Sequence, residues 1–479
     1  MDNYDYVIIG AGPTGLTLAY LLSKYNKKVI LIDKEYIGGC HGVERVDGLF
    51  SEHGPRIYID NFHMFKRLLN EMGGDFNKMF SEYKFHYIAF SRIIFSELNF
   101  REIFITSMAF LKLNEEYKKI SLLDFVKQNK FSERAITFFD NYCRLVDGGG
   151  IENFTLHSFL QIVNQNALYK IYQPIKPNDV GFLKLWENQL KKNNVTIMDY
   201  TEVIDFKVEN NKIISININN KTNNQKIISG DNFIFAMPPH NINKLISKYK
   251  LLKYSFGSNF SEWSEKTNYI TYIPVVFHWN KKLNIKRKWG FPQKDWGIIH
   301  IILTDYMTFN DSRSQTVISA SITKHEKSPT LNKTPDEISN KEEIIKEVFR
   351  QLQTIIDIPQ YDNAIMSQNH YEVDKWISSD TAFMTTKHGY INSKSPTINN
   401  LYNCGVQNGK SDYVFTSIEA AIQNAVSLVH DFESKSKNEY KLPHIITVRE
   451  ILLMVVLIII IVIVVYHRKI FRSRSTKTI

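Results

Sequence analysis

Three glycines and one acid near the start of the chain have the types and the spacing that bind a dinucleotide. Gly10, Gly12 and Gly15 form the pattern Gly-x-Gly-x-x-Gly. The first glycine permits a tight turn, the second lets the backbone approach a pyrophosphate, and the third lets a helix pack closely on a strand. Asp33 follows at about the spacing, roughly 20 residues, at which a carboxylate holds a ribose hydroxyl. These residues predict a site for a diphosphate-bearing nucleotide.

The elements needed to position these residues can be read from the flanking sequence. An apolar run over residues 6–9 precedes the glycines, a helical pattern follows them, and a second apolar run over residues 29–32 ends at Asp33. This order predicts a strand, a glycine turn, a helix and a second strand. Pro13 and Thr14 would begin the helix, where free N–H groups and a partial positive charge face the phosphates. The pattern fits NAD and FAD equally well.

The segment after Asp33 carries a resemblance to a known family. Lys34 is followed by the pair Gly38-Gly39 and then by Glu52-His53-Gly54-Pro55-Arg56. A strand, an acid, a glycine pair and Glu-x-Gly-Pro in this order resemble the flavin-containing amine oxidase superfamily. That superfamily also contains protoporphyrinogen oxidases and phytoene desaturases, which are FAD-dependent oxidoreductases.

Three later segments fit the same superfamily, so the resemblance covers about residues 4–430. They are a hairpin around Val203, a strand ending in Ala236-Met-Pro-Pro, and a last strand at 400–405 followed by a helix from about Ser417. In the superfamily the residue matching Val203 contacts adenine, and the N-terminus of the closing helix points at the flavin ring. The resemblance therefore implies FAD as the cofactor in preference to NAD.

The motif and the resemblance together give a set of candidate cofactor-binding residues. They are Gly10, Gly12, Pro13, Thr14, Gly15, Asp33, Lys34, Gly39, Gly54, Pro55, Arg56, Val203, Gly405, Ser417 and Ile418.

The resemblance implies a reaction more firmly than it identifies catalytic residues. It implies that a small substrate, an amine or an apolar molecule, transfers a hydride from a C–H bond to flavin N5, and that dioxygen reoxidises the flavin. Arg56 is a candidate for contact with the flavin or with an acidic substrate, and Lys294 is a candidate for the lysine that positions water at N5 in this superfamily. Cys40 and Cys404 fall near the predicted flavin, where a thioether bond is conceivable, although buried small residues are the favoured interpretation. No metal-ligand spacing is present.

Two other functions stay open. The run from His53 to Arg56 is faintly similar to a glycine-proline segment of UDP-galactopyranose mutases, which are flavin-dependent isomerases without net electron transfer. A membrane protein that binds FAD without turnover is the other alternative.

The predicted fold is α/β. A Rossmann-like FAD-binding domain with a mostly parallel sheet, discontinuous in sequence, is interleaved with an α+β substrate domain in which residues 364–373 form a closing strand. The expected units are 1–75, 183–245 and 396–435 for the FAD-binding domain, 76–182 for a helical part and 246–395 for an antiparallel-sheet part of the substrate domain, 445–466 for a membrane anchor and 467–479 for a basic tail.

The end of the chain predicts a single-pass membrane helix. Residues 451–465 are all apolar, and five of the basic residues behind the net charge of +10 follow them. The run is short of a bilayer core of about 30 Å unless residues 445–450 extend it. We expect the catalytic domain on the cytosolic side, because the N-terminal region lacks the features of a signal peptide. The membrane can be outer mitochondrial, endoplasmic reticulum or viral. The basic residues show no aromatic-interleaved patch, so nucleic acid is not an expected partner.

Overall fold

The computed structural model describes residues 3–54, 56–83, 96–270, 272–286, 295–367, 369–378, 383–385, 389–414 and 416–475. In these residues the strands are β1 Asn3–Ile9, β2 Val29–Ile32, β3 Val43–Val46, β4 Leu49–Glu52, β5 Tyr58–Ile59, β6 Phe80–Glu82, β7 Ile171–Pro174, β8 Thr196–Met198, β9 Thr201–Glu209, β10 Lys212–Asn220, β11 Gln225–Phe235, β12 Asn268–Ile270, β13 Ile273–Trp279, β14 Ile299–Ile302, β15 Thr316–Ile322, β16 Asn363–Ile365, β17 Asn369–Glu372, β18 Lys375–Ser378, β19 Phe383–Thr385 and β20 Leu401–Asn403.

The α-helices in the same residues are α1 Pro13–Lys24, α2 His63–Glu71, α3 Phe76–Met79, α4 Phe100–Lys112, α5 Leu122–Gln128, α6 Glu133–Asp147, α7 Leu156–Asn166, α8 Phe182–Lys192, α9 Pro239–Ile246, α10 Phe260–Lys266, α11 Lys341–Ile355, α12 Ile418–Phe432, α13 Ser436–Glu439 and α14 Val448–Ser475.

A parallel sheet in the order β8-β2-β1-β11 lies at the centre of the nucleotide-binding part. Strand β20 extends it in parallel beside the second half of β11, where Phe233 pairs with Leu401. The first half of β11 pairs instead with β10, which forms an antiparallel hairpin with β9. Strands β1 and β2 are almost continuously apolar and buried, as expected for a parallel sheet covered on both faces. The predicted Rossmann-like, mostly parallel sheet is confirmed.

Helices α1 and α12 pack side by side on this sheet. Helix α1 follows β1, and α12 follows β20 after a loop that includes a short 3₁₀ turn. Because β1, β11 and β20 are parallel, their carboxyl ends meet at one edge of the sheet. Both helices therefore begin at that edge, although about 400 residues separate them in the sequence.

A second sheet, antiparallel, has the order β14-β15-β13-β16 and packs one face on helix α11. The expectation of one closing strand over residues 364–373 is wrong. Strand β16 pairs with β13 only as far as Ile365, and β17 forms a separate hairpin with β18. Val373 and Asp374, both with positive φ, make the two-residue turn of that hairpin.

Helices α4 to α7 form a helical layer whose inner side chains join the large core around α1 and α12. Ser121, Ser132 and Thr155 cap the first turns of α5, α6 and α7 with their hydroxyl groups. Helix α6 ends at Gly148, which has φ of 84°. A left-handed glycine therefore ends this helix.

The last helix, α14, leaves the body of the protein. Residues Val448–Tyr466 have a mean hydropathy of 3.2, and this 19-residue segment is not buried in the protein. Its length and composition suffice to cross a membrane. Its first turn is attached to the helical layer: the Arg449 amide donates to the Asn164 side chain at 2.9 Å, and the Arg449 guanidinium donates to the Leu113 carbonyl at 3.1 Å.

Candidate functional site

A cavity of about 560 Å³ lies against the carboxyl edge of the parallel sheet. One part of its lining, the nucleotide wall, consists of Gly10, Gly12, Pro13, Thr14, Asp33, Lys34, Gly39, Thr201, Glu202 and Val203. A second part, the closing wall, consists of Cys404, Gly405, Val406, Gln407, Thr416, Ser417 and Ile418. A third part, the aromatic wall, consists of Tyr83, Tyr142, Tyr169, Gln173, Tyr272 and His300. The cavity therefore joins the predicted nucleotide residues to a wall rich in tyrosine.

The three motif glycines have different physical roles. Gly10 has φ of 110°, and a Cβ there would lie 2.4 Å from the Ala236 carbonyl oxygen. A Cβ on Gly15 would lie 1.8 Å from the Gly10 carbonyl oxygen. Both glycines thus permit close backbone packing. A Cβ on Gly12 would have the Gly39 Cα as its nearest neighbour, at 3.9 Å, so the space above Gly12 belongs to the cavity.

The N-terminus of α1 opens into the same space. Gly12 is its N-cap, no side chain caps it, and its first turn contains no acid. Pro13 and Thr14 line the cavity. Uncapped N–H groups and the helix dipole make such an end attractive to phosphate oxygens.

Asp33 lines the cavity beside this turn. Its carboxylate accepts hydrogen bonds from the amides of Ala11 and, at 2.9 Å, Glu35. These bonds fix the carboxylate at the end of β2. Val203, the residue that the resemblance places against adenine, is buried and lines the cavity from β9.

Three lysines also line the cavity: Lys34, Lys244 and Lys248. Together with burial, Lys34 and Lys244 lower the pKa of the neighbouring His240 to about 4. His240 is therefore neutral at pH 7, and the positive charge near this part of the cavity is carried by the lysines. A cationic environment favours a diphosphate.

The closing wall includes the start of helix α12, which hydrogen bonds hold in place. The Ser417 hydroxyl accepts from the Ala420 amide at 3.2 Å and caps α12. The buried Glu419 carboxylate accepts from the Met64 and Phe65 amides at 2.9 and 2.8 Å, which joins the starts of α12 and α2. Burial raises the pKa of Glu419 to about 7. The position of α12 relative to the cavity is therefore fixed by buried hydrogen bonds.

Arg56 lies on the cavity wall and is almost completely buried. Its guanidinium donates to the Cys40 carbonyl, and its own carbonyl accepts from the Gln173 side chain. Burial raises the pKa of Glu52 to about 7, while the nearby Ser319 hydroxyl and the charge of Arg56 oppose that rise.

The structure does not bring all candidate residues to the cavity. Gly15 is covered by Gly10, as described above. Gly54 has φ of 145° and faces the Ser321 hydroxyl, with a distance of 3.1 Å from an added Cβ, and it does not line the cavity. Pro55 and Lys294 lie outside the described residues.

Both candidate cysteines, Cys40 and Cys404, line the cavity. Burial raises the pKa of the Cys404 thiol far above its ordinary value. Because the thiolate is the reactive form of cysteine, this environment keeps Cys404 unreactive.

Sequence reasoning did not identify the aromatic wall. Its side chains come from separate elements and carry no local motif. His300 is buried, and burial lowers its pKa to about 4, so its imidazole is neutral at pH 7. Among the residues that the structure describes, the wall offers hydroxyl groups, an amide and a neutral imidazole, and no carboxylate.

Comparisons with known proteins agree with this site. Residues 8–72 match the family model of the NAD(P)-binding Rossmann-like domain. The UDP-galactopyranose mutase of Mycoplasma genitalium is 37% identical over 67 residues, which cover 13% of this chain and 16% of the mutase. The thioredoxin reductase of Ureaplasma parvum is 36% identical over 73 residues, 14% of this chain and 23% of the reductase. The chain thus matches less than a quarter of the length of these relatives.

Solved structures resemble almost the whole chain. Putrescine oxidase has a TM-score of 0.60 with 12% identity, over 90% of this chain and 99% of the oxidase. An oxidoreductase from Methanosarcina mazei has a TM-score of 0.59 with 14% identity, over 89% of this chain and 99% of the oxidoreductase. Cyclohexylamine oxidase from Brevibacterium oxydans has a TM-score of 0.57 with 9% identity, over 90% of this chain and 100% of the oxidase. The fold that the resemblance to the amine oxidase superfamily implied is therefore confirmed.

Proposed function

We propose that this chain is a membrane-anchored, FAD-dependent oxidoreductase that oxidises a small amine or apolar substrate. The proposal rests on one observation. The uncapped start of α1, with Gly12 as its N-cap, lines the same cavity as Asp33 and the start of α12. The fold shared with putrescine oxidase and cyclohexylamine oxidase supports the same function.

The residues of the nucleotide wall fit the adenosine diphosphate half of FAD. Gly12, Pro13 and Thr14 would hold the diphosphate on main-chain amides, since the space above Gly12 is free of protein atoms. Asp33 would accept a ribose hydroxyl, and Val203 would contact adenine. Lys34 on the same wall and Lys244 elsewhere in the cavity lining add positive charge.

The closing wall favours FAD over NAD. The cavity continues past the glycine turn to Gly405, Ser417 and Ile418. The N-terminus of α12 gives the flavin ring a positive helix end, which stabilises negative charge. We propose Arg56, which lines the cavity, as a further contact of the ring.

When bound, FAD supplies the electron acceptor, because its N5 takes a hydride from a substrate C–H bond. The protein's part is to orient the substrate and to keep water from the ring. Tyr142, Tyr169 and Tyr272 present flat, largely apolar surfaces, and neutral His300 adds a polar group without charge. Such a wall suits an uncharged amine or a hydrocarbon-like molecule better than an anion. Dioxygen is the proposed final oxidant.

We also propose that the substrate arrives from a membrane. The cavity reaches Ala167, which is exposed, and Tyr169. The Tyr169 hydroxyl donates to the Ile446 carbonyl at 2.9 Å, just before the apolar segment Val448–Tyr466. One end of the cavity therefore lies beside the point where the proposed anchor leaves the body.

A flavin-dependent isomerase is the second candidate. The local identity with UDP-galactopyranose mutases supports it. That match covers only about an eighth of this chain, which is too short to include a sugar-nucleotide site.

The proposal is tested by purifying the full chain in detergent and identifying its bound flavin. We expect FAD, bleaching of its visible absorption by an amine or apolar substrate under anaerobic conditions, and peroxide release in air. Bleaching by no member of a broad amine and isoprenoid panel, together with isomerisation of a sugar nucleotide only after prior reduction, would favour the isomerase. A chain that refolds without binding FAD at any concentration would contradict both.

A further inference from the structure

Helix α4 presents an apolar face to the outside of the protein. We define its outer face as Phe100, Phe104, Met108 and Leu111, which are 92%, 65%, 50% and 48% exposed. Their spacing places them on one side of the helix. A surface helix of a soluble domain normally carries polar residues on that side. The outer face therefore needs an apolar partner.

The helix is fixed so that this face cannot turn inward. Glu102 is buried, and its carboxylate accepts from the Asn99 amide at 2.8 Å and from the Ser132 amide at 2.6 Å. Ala109 is buried against the core on the same inner side. The exposure of the outer face is thus a consequence of polar contacts that hold the opposite side.

The outer face adjoins the base of the apolar C-terminal helix. Leu113, directly after α4, accepts through its carbonyl from the Arg449 guanidinium at 3.1 Å. Arg449 is the second residue of α14, so the end of α4 lies where the apolar segment begins. Leu168 and Ile446, both exposed, add apolar surface near the same base. A partner that covers α14 would therefore meet α4.

The charges beside the outer face match a lipid surface. Arg101 and Lys112 are exposed and lie at the edge of the apolar stripe on a helical projection. An amphipathic helix with apolar residues on one side and cations at the border lies in the interface plane of a bilayer. Its apolar side chains then enter by about 5–10 Å.

We propose that α4 is a second membrane contact, which lies flat in the headgroup region with its outer face toward the acyl chains. This rests on the membrane anchor of the proposed function and on no property of the flavin. Two contacts, one spanning and one flat, fix the tilt of the body and hold the Ala167 end of the cavity at the bilayer surface.

The test places an environment-sensitive fluorophore on single introduced cysteines of the full chain in liposomes that contain anionic lipid. The positions are Phe104→Cys on the outer face, Val456→Cys within α14, and Leu251→Cys as an exposed apolar control away from both. The unsubstituted chain gives the background from its three native cysteines. Quenchers are attached to lipids either near the headgroup or near the end of the acyl chain.

We expect the headgroup quencher to act several-fold more strongly on residue 104 than on residue 251, and the deep quencher to act most strongly on residue 456. Quenching at residue 456 without quenching at residue 104 would refute the membrane contact of α4 but would still support the membrane anchor. In that case, protection of residue 104 from aqueous iodide would indicate that protein rather than lipid covers the outer face. Absence of quenching at 456 would overturn the anchor and this inference together, while bound FAD would still support the flavin assignment. Equal quenching at residues 104 and 251 would indicate unspecific adsorption and would also refute the membrane contact of α4.

Discussion

Replacement of Gly12 by alanine should separate cofactor binding from folding. Gly12 has φ of −69° and ψ of 180°, which alanine adopts without strain. Apart from its neighbours in the chain, the added methyl group would have the Gly39 Cα as its nearest protein atom, at 3.9 Å. Loss of a glycine N-cap costs a few tenths of a kcal/mol to about 1 kcal/mol, and the stiffer unfolded chain returns about 0.4–1 kcal/mol. The stability of the cofactor-free protein should therefore change by less than about 1 kcal/mol.

The effect on FAD should be much larger. The methyl group would occupy the space where a diphosphate approaches the main-chain amides at the start of α1. Loss of two hydrogen bonds to a charged group, at about 1.5–3 kcal/mol each, amounts to about 3–6 kcal/mol. Since about 1.4 kcal/mol corresponds to a factor of ten, the dissociation constant should rise by a factor on the order of 10² to 10⁴.

The measurement is thermal unfolding of the cofactor-free protein with and without added FAD, followed by a fluorescence titration. A ligand at 100 times its dissociation constant stabilises the native state by about 2.7 kcal/mol. The native sequence should show the corresponding rise in Tm, and Gly12→Ala should lose it while keeping its own Tm. Gly15→Ala is the matched control, because its methyl group would lie 1.8 Å from the Gly10 carbonyl oxygen and should lower Tm even without FAD. An unchanged FAD affinity in Gly12→Ala would refute the placement of the diphosphate at this turn.

Three further outcomes are expected. Ser417→Ala removes the cap of α12 and should lower the free energy of unfolding by about 1 kcal/mol, as measured by denaturant titration; an unchanged midpoint would mean that the hydroxyl contributes nothing. The pKa of Glu52 is raised from 4.5 to about 7 by burial, so between these values the unfolded chain has lost a proton that the folded chain keeps, and stability falls as pH rises. Glu52→Gln should remove up to about 3 kcal/mol of that fall, seen by comparing unfolding at pH 5 and pH 8; equal pH dependence in both proteins would contradict it. Acid precipitation should release all flavin from the native protein and from Cys404→Ala alike, because the Cys404 thiol stays protonated; flavin retained on the pellet of the native protein alone would identify a thioether at Cys404.

The nucleotide-binding half could be predicted from the sequence because its signals are local. The glycine motif lies within six consecutive residues, and the flanking apolar runs form β1 and β2, which are buried on both faces. The closing helix from about Ser417 was predicted from the resemblance to the superfamily.

The features that the sequence did not predict depend on contacts between distant segments of the chain. Tyr83, Tyr142 and Tyr272 line one cavity because separate elements pack around it, and their spacing in the sequence does not predict this. The strand predicted over residues 364–373 is interrupted after Ile365, because β16 ends there and β17 pairs with β18. Gly54 matches the family pattern, yet its free side faces Ser321 rather than the cavity.

Strand β11 explains how such distant segments form one site. It pairs with β1 on one side, and on the other with β10 along its first half and β20 along its second half. Because β1, β11 and β20 run parallel, the helices that follow β1 and β20 both start at the same edge. Two positive helix ends therefore converge on one cavity, where they would face the two parts of a flavin dinucleotide that carry or acquire negative charge. A break in β11 should thus separate the nucleotide wall from the closing wall and abolish FAD binding even with every residue of both walls intact.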